Sequence, residues 1–260
     1  MSIHPTAVIH PSCEIAEEVS IGPYAVIGEG VRIGKGSQIG PHAVIEGNTE
    51  IGSGCLIGAG AVLGAPAQDV KYKGAPSYAK IGAGTIVREF ASVHRSSLEG
   101  QTTIIGERCF LMAYSHVGHD CQVGSDVVLT NYAGLSGFVA VEDGAILSGY
   151  AGVHQFNRIG RFAIIAGMSG VTKDVIPYVI AEGRPAVARG VNTIGLRRHQ
   201  IPASVRQDIQ RAYKILFHSG LNVSQALDRI RSEVESGEEI RHLLEFIEKS
   251  ERGILSAGKR

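Results

Sequence analysis

An aliphatic residue recurs at every sixth position of this 260-residue chain. The run has no miss from Ile3 through Ile9, Ile15, Ile21, Ile27, Ile33, Ile39, Ile45, Ile51 and Ile57 to Leu63. The same frame resumes at Ile81, Val87 and Val93, then continues from Ile105 through Leu111, Val117, Val123, Leu129, Leu135, Val141, Leu147, Val153, Ile159 and Ile165 to Val171. Only Asp69, Ala75 and Glu99 break it. Two residues before most aliphatic positions stands a small or β-branched residue, as at Ala7, Val19, Ala43, Thr85, Ser115 and Ala145. A helix of 3.6 residues per turn cannot hold a six-residue beat on one face, and a straight strand alternates with period two. A short strand that turns a corner every six residues gives the pattern. Three such strands close a triangular coil of about eighteen residues, with aliphatic side chains stacked inside and glycine or polar residues at the corners. The fold class expected is mostly β, a parallel β-solenoid over residues 1–190, with a C-terminal helical domain over 191–260.

Composition agrees with a thin repeated core. The 34 glycines and the absence of tryptophan suit stacked small aliphatics better than a core built around large rings. The frame also assigns the cysteines: Cys13, Cys55, Cys109 and Cys121 all occupy the small inward position, which makes them core filler rather than nucleophiles or metal ligands. With 25 basic and 25 acidic side chains the net charge is zero, which argues against a chain devoted to nucleic acid. No apolar run approaches a membrane span and the N-terminus lacks a leader pattern, so no transmembrane segment and a cytoplasmic location are expected.

Two polar stretches, 64–80 (GAPAQDVKYKGAPSYAK) and 94–104 (HRSSLEGQTTI), interrupt the repeat and must project as loops able to wall a cleft. Beyond Val171 the beat fades, and near Pro202 helical spacing begins with Val205, Ile209, Ala212, Tyr213 and Leu216, stopping at Ser219-Gly220. Asn222 is placed to cap a second helix carrying Leu227, Ile230 and Val234, which Gly237 ends before a third helix with Ile240, Leu243, Leu244 and Ile247. Three short helices alone would be marginal, so they should pack on the solenoid or on another subunit.

His94, His116, His119 and His154 all avoid the inward positions and should face outward, and the densest polar cluster is Ser115-His116-Val117-Gly118-His119-Asp120. A neutral imidazole at a corner can take a proton from a bound ligand near neutral pH. Outward histidines also suit zinc, and His94, His116 and His119 could imitate the three-histidine set of the gamma-type carbonic anhydrases, another group of hexapeptide solenoids. The spacing His116-x-x-His119 is not that group's, and it would leave the helical tail unexplained.

Hexapeptide repeats of this kind resemble the left-handed parallel β-helix family, which implies a hand opposite to the usual crossover. The ordered motifs AQDVKYKG, SVHRS, LMAYSHVGHDCQVG, AGVHQF and GVNTIGLRRH resemble, over essentially the whole chain, the UDP-N-acetylglucosamine O-acyltransferase family of lipid A biosynthesis. The resemblance implies that a 3-hydroxyacyl chain passes from acyl carrier protein to the 3-hydroxyl of UDP-N-acetylglucosamine. No metal or other cofactor is implied, since the donor is a phosphopantetheine thioester. It implies that His119 is the general base, that Asp120 lies beside it, and that the backbone N–H of Gly137 is the oxyanion donor. Gln68, Asp69, Lys71, His94, His116, His154, Gln155, Asn192 and Arg198 match substrate-binding positions, and Gly167 matches the position that limits acyl-chain length. The absence of a side chain there implies an open groove. A homotrimer with active sites between subunits is also implied. Arg184, Arg189, Arg197, Arg198, Arg206 and Arg211 form a basic patch suited to the acidic carrier protein. Two positions depart from the family: Phe138 stands where a second histidine is common, and Ile194 where glutamate is common. Loss of a polar contact alters which acceptor a sugar site prefers, so a 3-amino sugar nucleotide is an alternative acceptor.

Overall fold

A computed structural model of the protein describes residues 1–258. The chain winds as a left-handed parallel β-helix whose two- to six-residue strands fall into three sheets. Sheet I begins at Ser2–Ile3, sheet II at Val8–Ile9 and sheet III at Glu14–Ile15, and each strand pairs with the one a full coil later. Ser2 lies against Ser20 and Val8 against Val26, the eighteen-residue rise of one coil. Across the first loop the step in sheet I lengthens to Leu56↔Ile86, and across the second to Ile86↔Phe110, so the insertions lengthen two coils while the inward positions keep register, with a bulge between Leu63 and Ala65 where the first loop leaves sheet II. Register survives because the inward aliphatic must stay inward; a slip of one residue would turn Ile57 or Val87 to solvent. Both are buried, as are Ile27, Ile45, Ile81, Leu111, Leu129 and Leu147. Each contributes about 2 kcal/mol relative to exposure.

The corners show how the chain turns so often. The second central residue of most turns has positive φ, and many of these residues are not glycine: Asp120 (61°), Tyr132 (61°) and Phe138 (61°) are examples. This is the demand of a type II turn, and it costs a non-glycine residue on the order of 1–2 kcal/mol. Stacking between coils offsets it. Along the edge between sheets I and II, Phe90, Tyr114, Tyr132 and Tyr150 form an exposed ladder with ring centroids 5.2, 5.0 and 4.7 Å apart, each step contributing about 1 kcal/mol.

Cys55, Cys109 and Cys121 are buried and Cys13 is partly buried, all unpaired. Burial pushes the Cys109 thiol up to about 11 and that of Cys121 up to about 12, which keeps both protonated and inert.

Sheet I is finished by an antiparallel pair, Val179–Gly183 with Ala186–Val191, which extends it past the last parallel coil. Four helices follow: α1 (Thr193–Arg198), α2 (Ala203–His218), α3 (Val223–Glu233) and α4 (Glu238–Glu248). The short α1 has no apolar periodicity and was not expected; it exists because Asn192 Oδ1 accepts from Gly195 N–H and caps it. Asn222 and Gln225 form a reciprocal capping box at the start of α3. Gly237 does not end α3, which stops at Glu233; it is the extended residue that opens α4. The helices dock on the end of the solenoid. Tyr178 O–H bonds to His242 Nδ1 at 3.0 Å, His242 Nε2 bonds to Glu142 at 3.0 Å, and Arg158 lies 4.0 Å over the Phe246 ring. Buried Asp174 accepts from Arg158 N–H (2.8 Å) and Ser250 O–H (2.7 Å), pinning the segment that follows α4.

Candidate active site

Both inserted loops leave the solenoid at the edge between sheets II and III, in successive coils, and fold over the corner of the next coil. That corner is Gly118-His119-Asp120. Positive φ at Asp120 turns its carboxylate back toward its own neighbour, where His119 Nδ1–H donates to Oδ2 at 2.7 Å. The second loop completes the anchor. Ser97 N–H (3.0 Å) and Ser97 O–H (2.6 Å) donate to Oδ2, and Ser96 O–H donates to Oδ1. Thr103 Oγ1 accepts the Asp120 backbone N–H at 2.8 Å. The Asp120 side chain is 6% exposed. Burial raises its pKa, but the hydrogen bonds from Ser96, Ser97 and His119 outweigh burial, and the carboxyl stays below the ordinary range. Asp120 is therefore ionised at neutral pH. A carboxylate on Nδ1–H fixes the tautomer that leaves Nε2 as an acceptor, and Nε2 has no partner among the described residues.

Gly137 sits one coil below. A Cβ there would lie 2.5 Å from His119 Cε1 and 2.6 Å from Nε2, so only glycine lets the ring lie flat on this corner. The Gly137 N–H, at the first central position of its turn, has no hydrogen-bond partner among the described residues. An acceptor nitrogen and a backbone donor, both unpaired among the described residues, thus lie beside each other. Phe138 meets His119 edge-on at 5.4 Å and stacks on Phe156 at 4.8 Å, forming an apolar wall where a second polar group would otherwise stand.

Two adjoining grooves meet at His119. One, of about 610 Å³, runs down the outer face of sheet II and is lined by Gln68, His116, His119, Gly137, His154 and Gln155. Its floor is Gly134, Gly152 and Gly170, the outward residues of three successive coils. The other, of about 690 Å³, lies under the first loop and includes Asp69, Lys71, Ser97, Phe138 and Phe156.

The structure gathers most of the expected residues here and leaves three elsewhere. Asn192 is buried at the edge between sheets III and I, capping α1 and donating to Phe162 O at 2.9 Å. Arg198 ends the same short helix, and Gly167 lies on the edge between sheets I and II. The histidines also need a correction. All four do leave the solenoid interior, but His94 and His119 are buried rather than open, because the loops close over them. His94 Nδ1–H donates to Pro66 O at 2.6 Å, a contact made by the first loop. His116 bonds through Nδ1 to Ser92 Oγ at 2.9 Å. Burial, then the charges of His94 and His119, lower the His116 pKa to about 4, so it is neutral under ordinary conditions. Among the described residues no group of three or more His, Cys, Asp or Glu is arranged to hold a metal ion.

Sequence reasoning missed Ser96, Ser97, Thr103 and the glycine floor. The floor carried a signal: glycine at the outward strand position of coil after coil, at 134, 152 and 170. The serines carried none, since a loop's path is not written in its periodicity.

Comparison with known proteins gives one answer. A family model described as "Udp N-acetylglucosamine O-acyltransferase; Domain 2" matches residues 174–255, and one described as "Bacterial transferase hexapeptide (six repeats)" matches 30–65 and 102–137. The acyl-(acyl-carrier-protein)–UDP-N-acetylglucosamine O-acyltransferase of Trichlorobacter lovleyi is 52% identical over 258 residues, covering 98% of this chain and 99% of that one. The enzyme of the same description from Syntrophobacter fumaroxidans is 44% identical over 257 residues, covering 98% and 100%. Among solved structures, the UDP-N-acetylglucosamine acyltransferase of Francisella novicida superposes with a TM-score of 0.96 at 37% identity, covering 99% of this chain and 95% of that one.

Proposed function

The chain belongs to the family of acyl-(acyl-carrier-protein)–UDP-N-acetylglucosamine O-acyltransferases, and on that premise we propose how its own residues carry the transfer. The reaction moves an acyl group from a carrier-protein thioester to a hydroxyl of UDP-N-acetylglucosamine. In our reading the acyl group is a 3-hydroxyacyl chain, the acceptor is the 3-hydroxyl, and the product enters lipid A synthesis. His119 Nε2 removes the hydroxyl proton as the oxygen attacks the thioester carbonyl. Asp120 holds Nδ1–H and stabilises the imidazolium that forms. The Gly137 N–H donates to the developing oxyanion, a contact that can be worth about 3 kcal/mol. Collapse of the tetrahedral intermediate expels the phosphopantetheine thiolate, which takes the proton back from His119. The observation that carries this reading is that His119 Nε2 lies beside the Gly137 N–H, both without a partner among the described residues.

The relatives are O-acyltransferases, so an amine acceptor and a zinc hydratase are the disfavoured readings. The sugar nucleotide is assigned to the grooves at Gln68, Asp69, Lys71, His94, His116, His154 and Gln155, with Asn192 and Arg198 supplied from another subunit. That assignment requires a cyclic trimer, which we propose with it. Sheet I presents Leu56, Ile86, Phe110, Val128, Ile146 and Ile164 on its outer face, an apolar surface that a neighbour's sheet II would cover. Such packing brings one subunit's Asn192 and Arg198 to the next subunit's His119, and turns the aromatic ladder toward the axis. It also carries Gly167 toward the acyl groove, where the missing side chain leaves room for a long chain. The acidic carrier protein would meet Arg184, Arg197 and Arg198, none of which has a carboxylate partner among the described residues. No described helix is long and apolar enough to cross a membrane, and we place the reaction in the cytoplasm, with the carrier protein.

The test is to offer the purified protein carrier-protein thioesters of graded length with UDP-N-acetylglucosamine or its 3-amino analogue, and to weigh the products. An ester of the unmodified sugar nucleotide is expected; product from the amine alone would overturn the assignment.

A further inference from the structure

His154 lines the sheet II groove two coils beyond His116, next to Gln155. Its Nδ1 has two neighbours: the carbonyl of Gln155 at 3.3 Å and Arg252 Nη2 at 3.5 Å. The two ask opposite things of the ring. A carbonyl can only accept, so a bond to Gln155 O requires the proton on Nδ1; a guanidinium can only donate, so a bond from Arg252 requires Nδ1 bare and the proton on Nε2. Nε2 has no partner among the described residues and is the nitrogen left for a ligand in the groove.

Arg252 is held in place by the chain around it. Asp174 N–H donates to Gly253 O at 3.0 Å, Leu255 N–H to Asp174 O at 2.9 Å, and Ser250 O–H to Asp174 at 2.7 Å, so the segment after α4 is strapped to the last coil on both sides of residue 252. The guanidinium forms no ion pair among the described residues and takes no part in the strap. Among the described residues its one hydrogen-bond neighbour is the groove histidine, 98 residues away in sequence.

We propose that Arg252 is a positioning residue for the transfer reaction: by donating to Nδ1 it holds His154 in the Nε2–H tautomer, so that the ring presents a donor, not an acceptor, to a polar group of the sugar nucleotide. The last segment of the chain thereby takes part in building the groove. The functional half of this proposal rests on His154 being a substrate contact; the tautomer half does not.

The two halves are separable by experiment. In protein labelled with [15N]histidine, long-range proton–nitrogen spectra report which nitrogen of His154 is protonated, with His154→Ala giving the assignment. The wild type is expected to show Nε2–H, Arg252→Ala to move the proton toward Nδ1, and Arg252→Lys, which also donates, to restore it. Arg252→Ala should raise KM for UDP-N-acetylglucosamine roughly three- to tenfold with little change in kcat, the size of one hydrogen bond. An unchanged His154 tautomer in Arg252→Ala would overturn the proposal. A moved tautomer with unchanged KM would overturn the positioning role, and unchanged KM in His154→Ala would trace that failure to the substrate assignment rather than to Arg252.

Discussion

At the scale of single residues, the proposed chemistry depends on one glycine as much as on the histidine. Gly137→Ala needs no forbidden backbone angle, yet its Cβ would arrive 2.5 Å from His119 Cε1. The ring must swing away from both Asp120 and the substrate. We expect kcat to fall by about a hundredfold or more while the melting temperature changes by only a few degrees; thermal denaturation beside steady-state kinetics checks both. His116 gives a prediction of another kind. Its folded pKa, about 4, lies below its ordinary value, so the unfolded chain binds its proton first as pH falls. The stability from burying it neutral is full above the unfolded pKa of about 6.5 and is lost as pH drops toward 4. Urea titrations across that window should show a shallower loss in His116→Gln than in the wild type. Residue roles were only partly legible in the sequence. The frame located the four histidines and the four cysteines, since those follow from register. The clamp on Asp120 by Ser96 and Ser97 was not, since it depends on where an aperiodic loop comes to rest.

At the scale of elements, the repeat made the solenoid readable because one inward aliphatic per strand is both the sequence signal and the physical cause of stacking. The longer helices were readable for the same reason. The short α1 was not, being held by one cap rather than by a buried stripe. Along sheet II the outward residues pass from Val44 and Val62 to Gly134, Gly152 and Gly170, exchanging strand propensity for an empty floor, which we propose serves the substrate. A Cβ at Gly134 would meet nothing within 4 Å. Gly134→Val should therefore fold at least as stably as the wild type, yet lower kcat/KM by about tenfold or more, because its methyl groups occupy the groove. Reduced stability with unchanged kinetics would show that the floor serves packing instead.

At the scale of the whole molecule, the assigned residues sit on three different edges of the solenoid, and the cyclic trimer we propose would unite them. The loops, the apolar face of sheet I and the groove of sheet II are then parts of one interface. Complementation tests this. In trimers reassembled from equal amounts of His119→Ala and Arg198→Ala, every mixed trimer holds one unaltered site, so activity should return to about a quarter of wild type; no recovery would mean that each subunit works alone. The central claim, that His119 is the base of the transfer, is tested most directly by the single-turnover rate of acyl transfer in His119→Ala with carrier-protein thioester and UDP-N-acetylglucosamine both saturating. The expected result is a rate lower by about a hundred- to ten-thousandfold with both substrates still bound; a rate within a few-fold of wild type would contradict it.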